Sequence, residues 1–454
     1  MNESKQYYVG VDVGGTKIQA ALVDDAGMIY NRHKRPTPRD QGVEGAIVAI
    51  EEAIQVILDE MPQGDQLLGI GIAMPGVVDT QKGLVVITPN MSFEDVYLGD
   101  RLSEKFSVPV AVGNDCNLGA LGEKWLGAGR DAKSVMAILV GTGIGGGFVQ
   151  GSQLWTGARE SACEVGHMVI EIGGRLCGCG NRGCLETLAS RTAVERGLRE
   201  AVAAGRKTVL TEMLDGDLSL IRSSMLRRAI EQNDELVIEV LGHAAEILGT
   251  ACLTIRHLID PEIILLGGGV VEACSEFFVP IVERVIQSDQ LPGARDAGHI
   301  HIAALGDDAV TLGAVALIQL AEGIDPLAAH QGTPYPLPPI ECNGGEYLFK
   351  QKSFDADFYI TLGGKAKRRK NPFHKPSDGG PREITAHQIA KVCKGGPQAI
   401  FIGAGPKGDE VILSDEATRF LASRRIECKT LPTEAAVNAY NRATNRRAAF
   451  ICID

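Results

Sequence analysis

Cys177, Cys179 and Cys184 form a C-x-C-x4-C cluster, and His167 stands just upstream of it. Three thiolates and one imidazole suit tetrahedral Zn²⁺, and a closed set of four protein ligands is the structural kind of zinc site. Gly178, Gly180 and Gly183 let so short a loop fold back on one ion. Glu164 and Glu186 flank the cluster and are not needed as ligands, so they imply chemistry beside the ion. The competing reading is three buried thiols and a core histidine. Free cysteines rarely cluster this way in a reducing compartment, which favours the metal.

Asp115 is the second chemical candidate. It follows the expected strand Val108–Val112 and opens the expected helix Leu118–Lys124. A carboxylate at a strand end can project into a cleft and accept a proton there as a general base. The neighbouring Asn114 can donate and accept hydrogen bonds to orient hydroxyls. Asp is also a common helix N-cap, and that duty is the alternative for Asp115.

Asp12 ends the strand Tyr7–Val13, where it can hold Mg²⁺ directly or through water. Gly14-Gly15-Thr16-Lys17 then turns the chain into a second strand, Ile18–Val23. Such a hairpin exposes backbone N–H groups to phosphate, although it can equally be an ordinary tight turn. A Rossmann or Walker loop would open a helix instead. The pattern returns in Ser134–Gln150 around Gly141-Thr142-Gly143, and Gly267-Gly268-Gly269 ends the strand Glu262–Leu266. Two glycine hairpins and a third glycine loop are what a nucleotide clamped between two lobes would need.

Glu164-Val165-Gly166-His167 and the run Cys177-Gly178-Cys179-Gly180-Asn181-Arg182-Gly183-Cys184-Leu185-Glu186 resemble the two motifs of the ROK family of sugar kinases and sugar-responsive regulators. The resemblance implies an α/β fold: a two-lobed actin-like ATPase (sugar kinase) with an inserted zinc loop. It implies that His167 binds zinc with one ring nitrogen and faces a sugar with the other. Glu164 and Glu186 would receive sugar hydroxyls. The hairpins at Gly14–Lys17 and Gly141–Gly143 would face the phosphates of ATP, with Gly267–Gly269 near the adenosine. Pro75-Gly76-Val77-Val78-Asp79 resembles the family's segment that reverses beside the sugar at Gly76, and Thr88-Pro89-Asn90 resembles the stretch whose asparagine approaches it. Asn114-Asp115-Cys116-Asn117, followed by G-x-L-G-E-x-W-x-G, implies that Asp115 is the catalytic base.

The implied activity is ATP-dependent phosphorylation of a hexose at C6, with glucose to glucose 6-phosphate first. Glucokinase-like members usually carry a tryptophan after the T-P-N stretch, whereas Met91-Ser92-Phe93-Glu94-Asp95 stands here, which opens the exact hexose. The alternatives are N-acetylmannosamine, N-acetylglucosamine, fructose or allose, or a sugar-sensing regulator without a DNA-binding domain. Repressors of the family carry an N-terminal helix-turn-helix, for which a strand beginning near Tyr7 leaves no room. Polyphosphate as donor is disfavoured, because members that use it tend to lack the zinc cluster. Relatives suggest a homo-oligomer, dimer or tetramer.

Several elements must position these groups. Gly45–Met61 has helical periodicity, and Leu67–Ala73 reads as a strand. Ser190–Ala204, Leu220–Ile230 and Glu235–Leu258 read as helices, His301–Ala304 as a strand and Asp308–Glu322 as a helix of small apolar residues. The expected division is a first lobe of residues 1–112 with 308–325 and a second lobe of residues 113–307. A proline-rich linker follows at 326–340, then a separate small α/β domain at 341–454. In that domain Phe354–Leu362, Ala399–Ile402 and Arg447–Ile453 read as strands, and Ser414–Ser423 and Thr433–Arg442 as helices. The basic run Lys365–Lys370 reads as a solvated loop. Phe401-Ile402-Gly403-Ala404-Gly405, Leu431-Pro432-Thr433-Glu434-Ala435-Ala436 and Tyr440-Asn441 resemble a small family of unsettled function that includes a mitochondrial complex I assembly factor. No catalytic set comes with that resemblance; an assembly role beside a weak kinase is a further alternative.

At 454 residues the chain calls for two or three domains, and 44% hydrophobic with 22% charged residues is an ordinary globular composition. A net charge of -12 argues against non-specific nucleic-acid binding. The N-terminus lacks a signal-peptide pattern, and no uninterrupted apolar run approaches the ~18 residues of a membrane span, so a cytoplasmic protein is expected without a membrane partner.

Overall fold

The computed structural model describes residues 4–89, 91–291, 298–328, 335–343, 346–369, 382–408 and 411–453. It forms two compact units, Met1–Arg130 with Ala304–Asp454, and Asp131–Ala303.

Side-chain alternation builds the main sheet of the first unit. Val9, Val11 and Val13 on Gln6–Val13 are buried with Ile47, Ile50 and Ile54 of the helix Gly42–Asp59. The opposite face, at Gly10, lies against Thr311. The strands run in the order Ile29–Pro36, Lys17–Asp24, Gln6–Val13, Gln66–Met74, Val110–Asn114. The first three are antiparallel, and the last two run parallel to Gln6–Val13.

The helix Ala309–Ala321 needs its small residues. A Cβ on Gly71 would meet the Ala314 carbonyl oxygen at 1.8 Å, and one on Gly313 would meet that of Leu118 at 1.7 Å. Ala309–Ala321 therefore presses on the sheet and on the helix Asp115–Trp125 at backbone distance.

The second unit repeats the plan. Its sheet runs Gln153–Leu154, Ile144–Gln150, Ser134–Val140, Ile263–Gly267, His299–Ile302. A hairpin pairs Ser134–Val140 with Ile144–Gln150, and two parallel strands follow on the other side. Two sheets of one strand order are the architecture expected of an actin-like fold. Glu235–Ile259 is long and apolar enough to cross a membrane, yet Leu241, Ala245, Leu248 and Ile255 lie in this unit's core. It is a core helix.

Beyond residue 340 a further sheet runs Ala366–Arg368, Phe358–Ile360, Arg447–Cys452, Ala399–Ala404, Glu427–Leu431, its last three strands parallel. Ala386–Val392, Asp415–Ser423 and Thr433–Arg442 are its described helices, and Phe401 with Tyr440 and Ile402 with Phe450 mark two cores.

Four expectations need correction. The units divide at Arg130/Asp131 and Ala303/Ala304, because Val110–Asn114 completes the first sheet and Asp115–Trp125 packs on Ala309–Ala321. The described part of the supposed linker is not a free connector: Tyr335, Leu337 and Ile340 are core residues. Phe354–Leu362 is not one strand; Lys352–Phe354 and Phe358–Ile360 are separated where Asp357 turns to Arg369 and Arg382. Finally, the basic run contains the strand Ala366–Arg368 rather than a loop; Lys370 lies outside the described residues.

Candidate functional site

In the first unit, register brings the candidate residues to one edge. Asp12 pairs across with Ala73, and Ala73 with Gly113. Asp12, the Gly76 turn, Asn114 and Asp115 thus gather at the carboxyl-terminal edge of parallel strands, where open α/β sheets bind ligands. Gly76 has φ +88°, and a Cβ there would meet the Ile87 carbonyl oxygen at 2.2 Å.

Asn114 is the N-cap of Asp115–Trp125. Its Oδ1 accepts from the Asn117 N–H at 3.0 Å, and its Nδ2 donates to the Gly76 carbonyl at 2.9 Å. Capping is therefore the work of Asn114, and Asp115 is the first helical residue, its Oδ1 accepting from the Cys116 N–H at 2.8 Å. The amide of Asn114 fastens the Gly76 turn to the base candidate, a role its hydroxyl-orienting chemistry did not suggest. Asn90 lies outside the described residues. Beside it, Thr88 Oγ1 accepts from the Phe93 N–H at 3.1 Å, and Phe93 is fully buried. Phe93, in the stretch that lacks the usual tryptophan, is a core residue.

The Gly14–Lys17 turn is held from outside. Thr37 Oγ1 donates to the Gly14 carbonyl at 2.6 Å, and Arg39 Nε to that of Gly15 at 2.6 Å. Neither residue belongs to a motif, and nothing in their spacing pointed to the hairpin. Burial raises the Asp12 carboxyl above the ordinary range; Lys17 opposes this, and Asp307 adds to it.

In the second unit His167, Cys177, Cys179 and Cys184 bring one ligand atom each within 4.8 Å of one another. His167 Nδ1 lies 3.7 Å from Cys177 Sγ, and the Cys179 and Cys184 sulfurs lie 3.7 Å apart. Three soft sulfurs and one ring nitrogen so close together fit zinc. Gly183 has φ +75°, and a Cβ there would meet the Glu171 carbonyl oxygen at 1.6 Å, so the loop closes only with glycine.

Glu186 links this loop to the second hairpin. Its Oε2 accepts from the Ile144 N–H at 3.0 Å, and a Cβ on Gly143 would lie 2.1 Å from that oxygen. The Arg191 N–H donates to the Gly141 carbonyl at 3.0 Å, and Thr192 Oγ1 to that of Thr142 at 2.7 Å. Sequence reasoning missed both supports. Glu164 is exposed at the surface, yet partial desolvation raises its carboxyl; His167 opposes the shift and the charge of Glu186 adds to it. Gly267 ends its strand, Gly268 has φ +96°, and Gly269 opens the short helix Gly269–Ala273.

Residues 8–321 match the sequence profile of the ROK family. The chain belongs to the ROK family. Among ROK relatives, the glucokinase of Halalkalibacterium halodurans is 36% identical over 326 residues, which is 70% of this chain and 97% of that protein. A ROK glucokinase of Streptomyces griseus, solved with glucose and AMPPNP, is 31% identical with a TM-score of 0.61, covering 68% of this chain and 98% of that one. A putative xylose repressor of Caldicellulosiruptor is 29% identical over 70% of this chain and 79% of that protein.

Proposed function

We propose that this ATP-dependent sugar kinase transfers the γ-phosphoryl group to the C6 hydroxyl of a hexose, glucose first, with Asp115 as general base. The placement of Asp115 carries the reading: it sits at the sheet's carboxyl-terminal edge beside Asp12 and the Gly76 turn, with the cap supplied by Asn114. The relation to glucokinases, one of them solved with glucose and an ATP analogue, supports the choice of sugar and donor.

Asp115 takes the hydroxyl proton as the new oxygen–phosphorus bond forms, and ADP leaves with the electrons of the broken bond. Asn90, Asn114, Glu164, His167 and Glu186 are the residues assigned to sugar hydroxyls. The hairpins Gly14–Lys17 and Gly141–Gly143 take the phosphates, and Gly267–Gly269 lies toward the adenosine. Asp12 holds Mg²⁺; burial penalises its ionised form, which a divalent cation would stabilise. Zinc on His167, Cys177, Cys179 and Cys184 supplies structure, fixing the loop that carries Glu186. The protein works in the cytoplasm.

The test is ADP release from Mg·ATP against a panel of hexoses, with glucose binding measured in parallel. Turnover confined to glucose supports the reading, and turnover on an N-acetylated sugar changes the substrate. The xylose-repressor relative favours one second reading, a sugar-responsive regulator. Sugar binding without turnover, in zinc-loaded protein, would establish it instead.

A further inference from the structure

The chain passes between its two units at Arg130/Asp131 and again at Ala303/Ala304. Glu123 ties the two passages together. Its carboxylate, in a residue with 0% exposure, accepts from the N–H groups of Ala128 at 2.9 Å, Ala304 at 3.1 Å and Leu305 at 2.7 Å.

The segment beyond residue 340 reaches the same place. Arg425 Nη1 donates to the Ala128 carbonyl at 2.9 Å, and Arg130 Nη2 donates to the Arg425 carbonyl at 2.7 Å. Gly396 approaches the second passage so closely that a Cβ there would meet the Ala304 carbonyl oxygen at 2.8 Å. Arg446 Nη1 donates to the Gly27 carbonyl at 2.9 Å while its Nη2 donates to that of Gly395 at 2.8 Å. Gly27 itself abuts Leu126, where a Cβ would lie 2.3 Å from the leucine side chain.

We infer that the C-terminal segment is a brace on the hinge of the kinase, and that Arg425 and Arg446 set how freely the two passages bend. Hinges are a few connecting residues that absorb the backbone rotation of closure, and closure sets the turnover of many kinases. Here Ala128 and Arg130 carry hydrogen bonds to the C-terminal segment of the first unit and Ala304 lies against its Gly396, so the hold of that segment governs the motion. Arg425 is not among the substrate or nucleotide candidates; it is a positioning residue. The kinetic part of the proposal rests on the sugar-kinase reading, and the exchange part does not.

The test compares the full chain with its Arg425→Ala, Arg425→Lys and Arg130→Gln variants by amide hydrogen exchange and by sugar phosphorylation. Arg425→Ala should speed exchange at residues 126–130 and 303–305 about tenfold, with the amides of Ala399–Ala404 and Arg447–Cys452 still protected. Arg425→Lys should restore most of the protection, and kcat should move several-fold with little change in sugar KM. Unchanged exchange at both passages, with the C-terminal sheet intact, would overturn the inference. If Arg425→Ala loosens that sheet as well, Arg130→Gln decides from the other side of the same contact: faster exchange at residues 303–305 supports the brace, and no change refutes it. A wild-type chain that phosphorylates no sugar would sink the kinase reading alone, because the exchange measurement still reports on the hinge.

Discussion

Glu186 accepts a hydrogen bond from the Ile144 N–H at 3.0 Å, so a carboxylate of the cysteine loop holds the glycine hairpin Gly141–Gly143. A group expected to bind sugar is thereby in register with a turn expected to bind phosphate. Gly143→Ala would set a Cβ 2.1 Å from the Glu186 oxygen and push it off Ile144. We expect kcat/KM to fall about 10- to 100-fold with zinc content unchanged. Steady-state kinetics with metal analysis of the same sample checks this.

Asp115→Asn keeps the shape and removes the proton acceptor. We expect kcat to fall roughly 10²- to 10⁴-fold while the glucose Kd, measured calorimetrically, holds within a few-fold. Near-normal turnover with intact sugar binding would remove Asp115 from the role of base.

Cys179 is the exposed member of the four-ligand cluster. Cys179→Ser, or treatment with a strong chelator, should abolish stoichiometric zinc and weaken sugar binding by at least about tenfold. The same sugar affinity in metal-free and metal-loaded protein would contradict the structural role assigned to the ion.

Asp24 gives a pH signature in the first unit. Its carboxylate accepts from the N–H groups of Ala26 and Met28 and from the Tyr30 hydroxyl, yet burial lifts it to about 6. The folded state therefore holds this proton more tightly than the unfolded chain. The stabilisation is complete below the ordinary aspartate range and is lost as pH rises through about 6. Relative to Asp24→Asn, the wild-type stability should fall by on the order of 2 kcal/mol across pH 4 to 8, read as a falling Tm. A constant gap between the two melting curves would refute this.

The parts legible in the sequence were those that repeat or cluster locally. Cys177, Cys179 and Cys184 announce themselves by spacing, and the two glycine hairpins by β runs on either side. What could not be read depends on partners far along the chain. Asn114 as cap and tether needs Gly76, and Thr37 and Arg39 act on a turn that precedes them by more than twenty residues. The division of the units was misplaced because Asp115–Trp125 belongs to whichever unit holds Ala309–Ala321, almost two hundred residues away. Asp357 broke an expected strand for the same reason, its partners being Arg369 and Arg382.

The helix Ala309–Ala321 that closes on Gly10 and Gly71 also dictates an order of events on the ribosome. Residues 131–303 are contiguous and can collapse as soon as they emerge, whereas the first unit lacks one covering of its sheet until residue 321 leaves the exit tunnel. The N-terminal strands are made first and finished late. During synthesis, the face around Gly10 and Gly71 must wait, uncovered, for a helix encoded some three hundred codons downstream of the first of them.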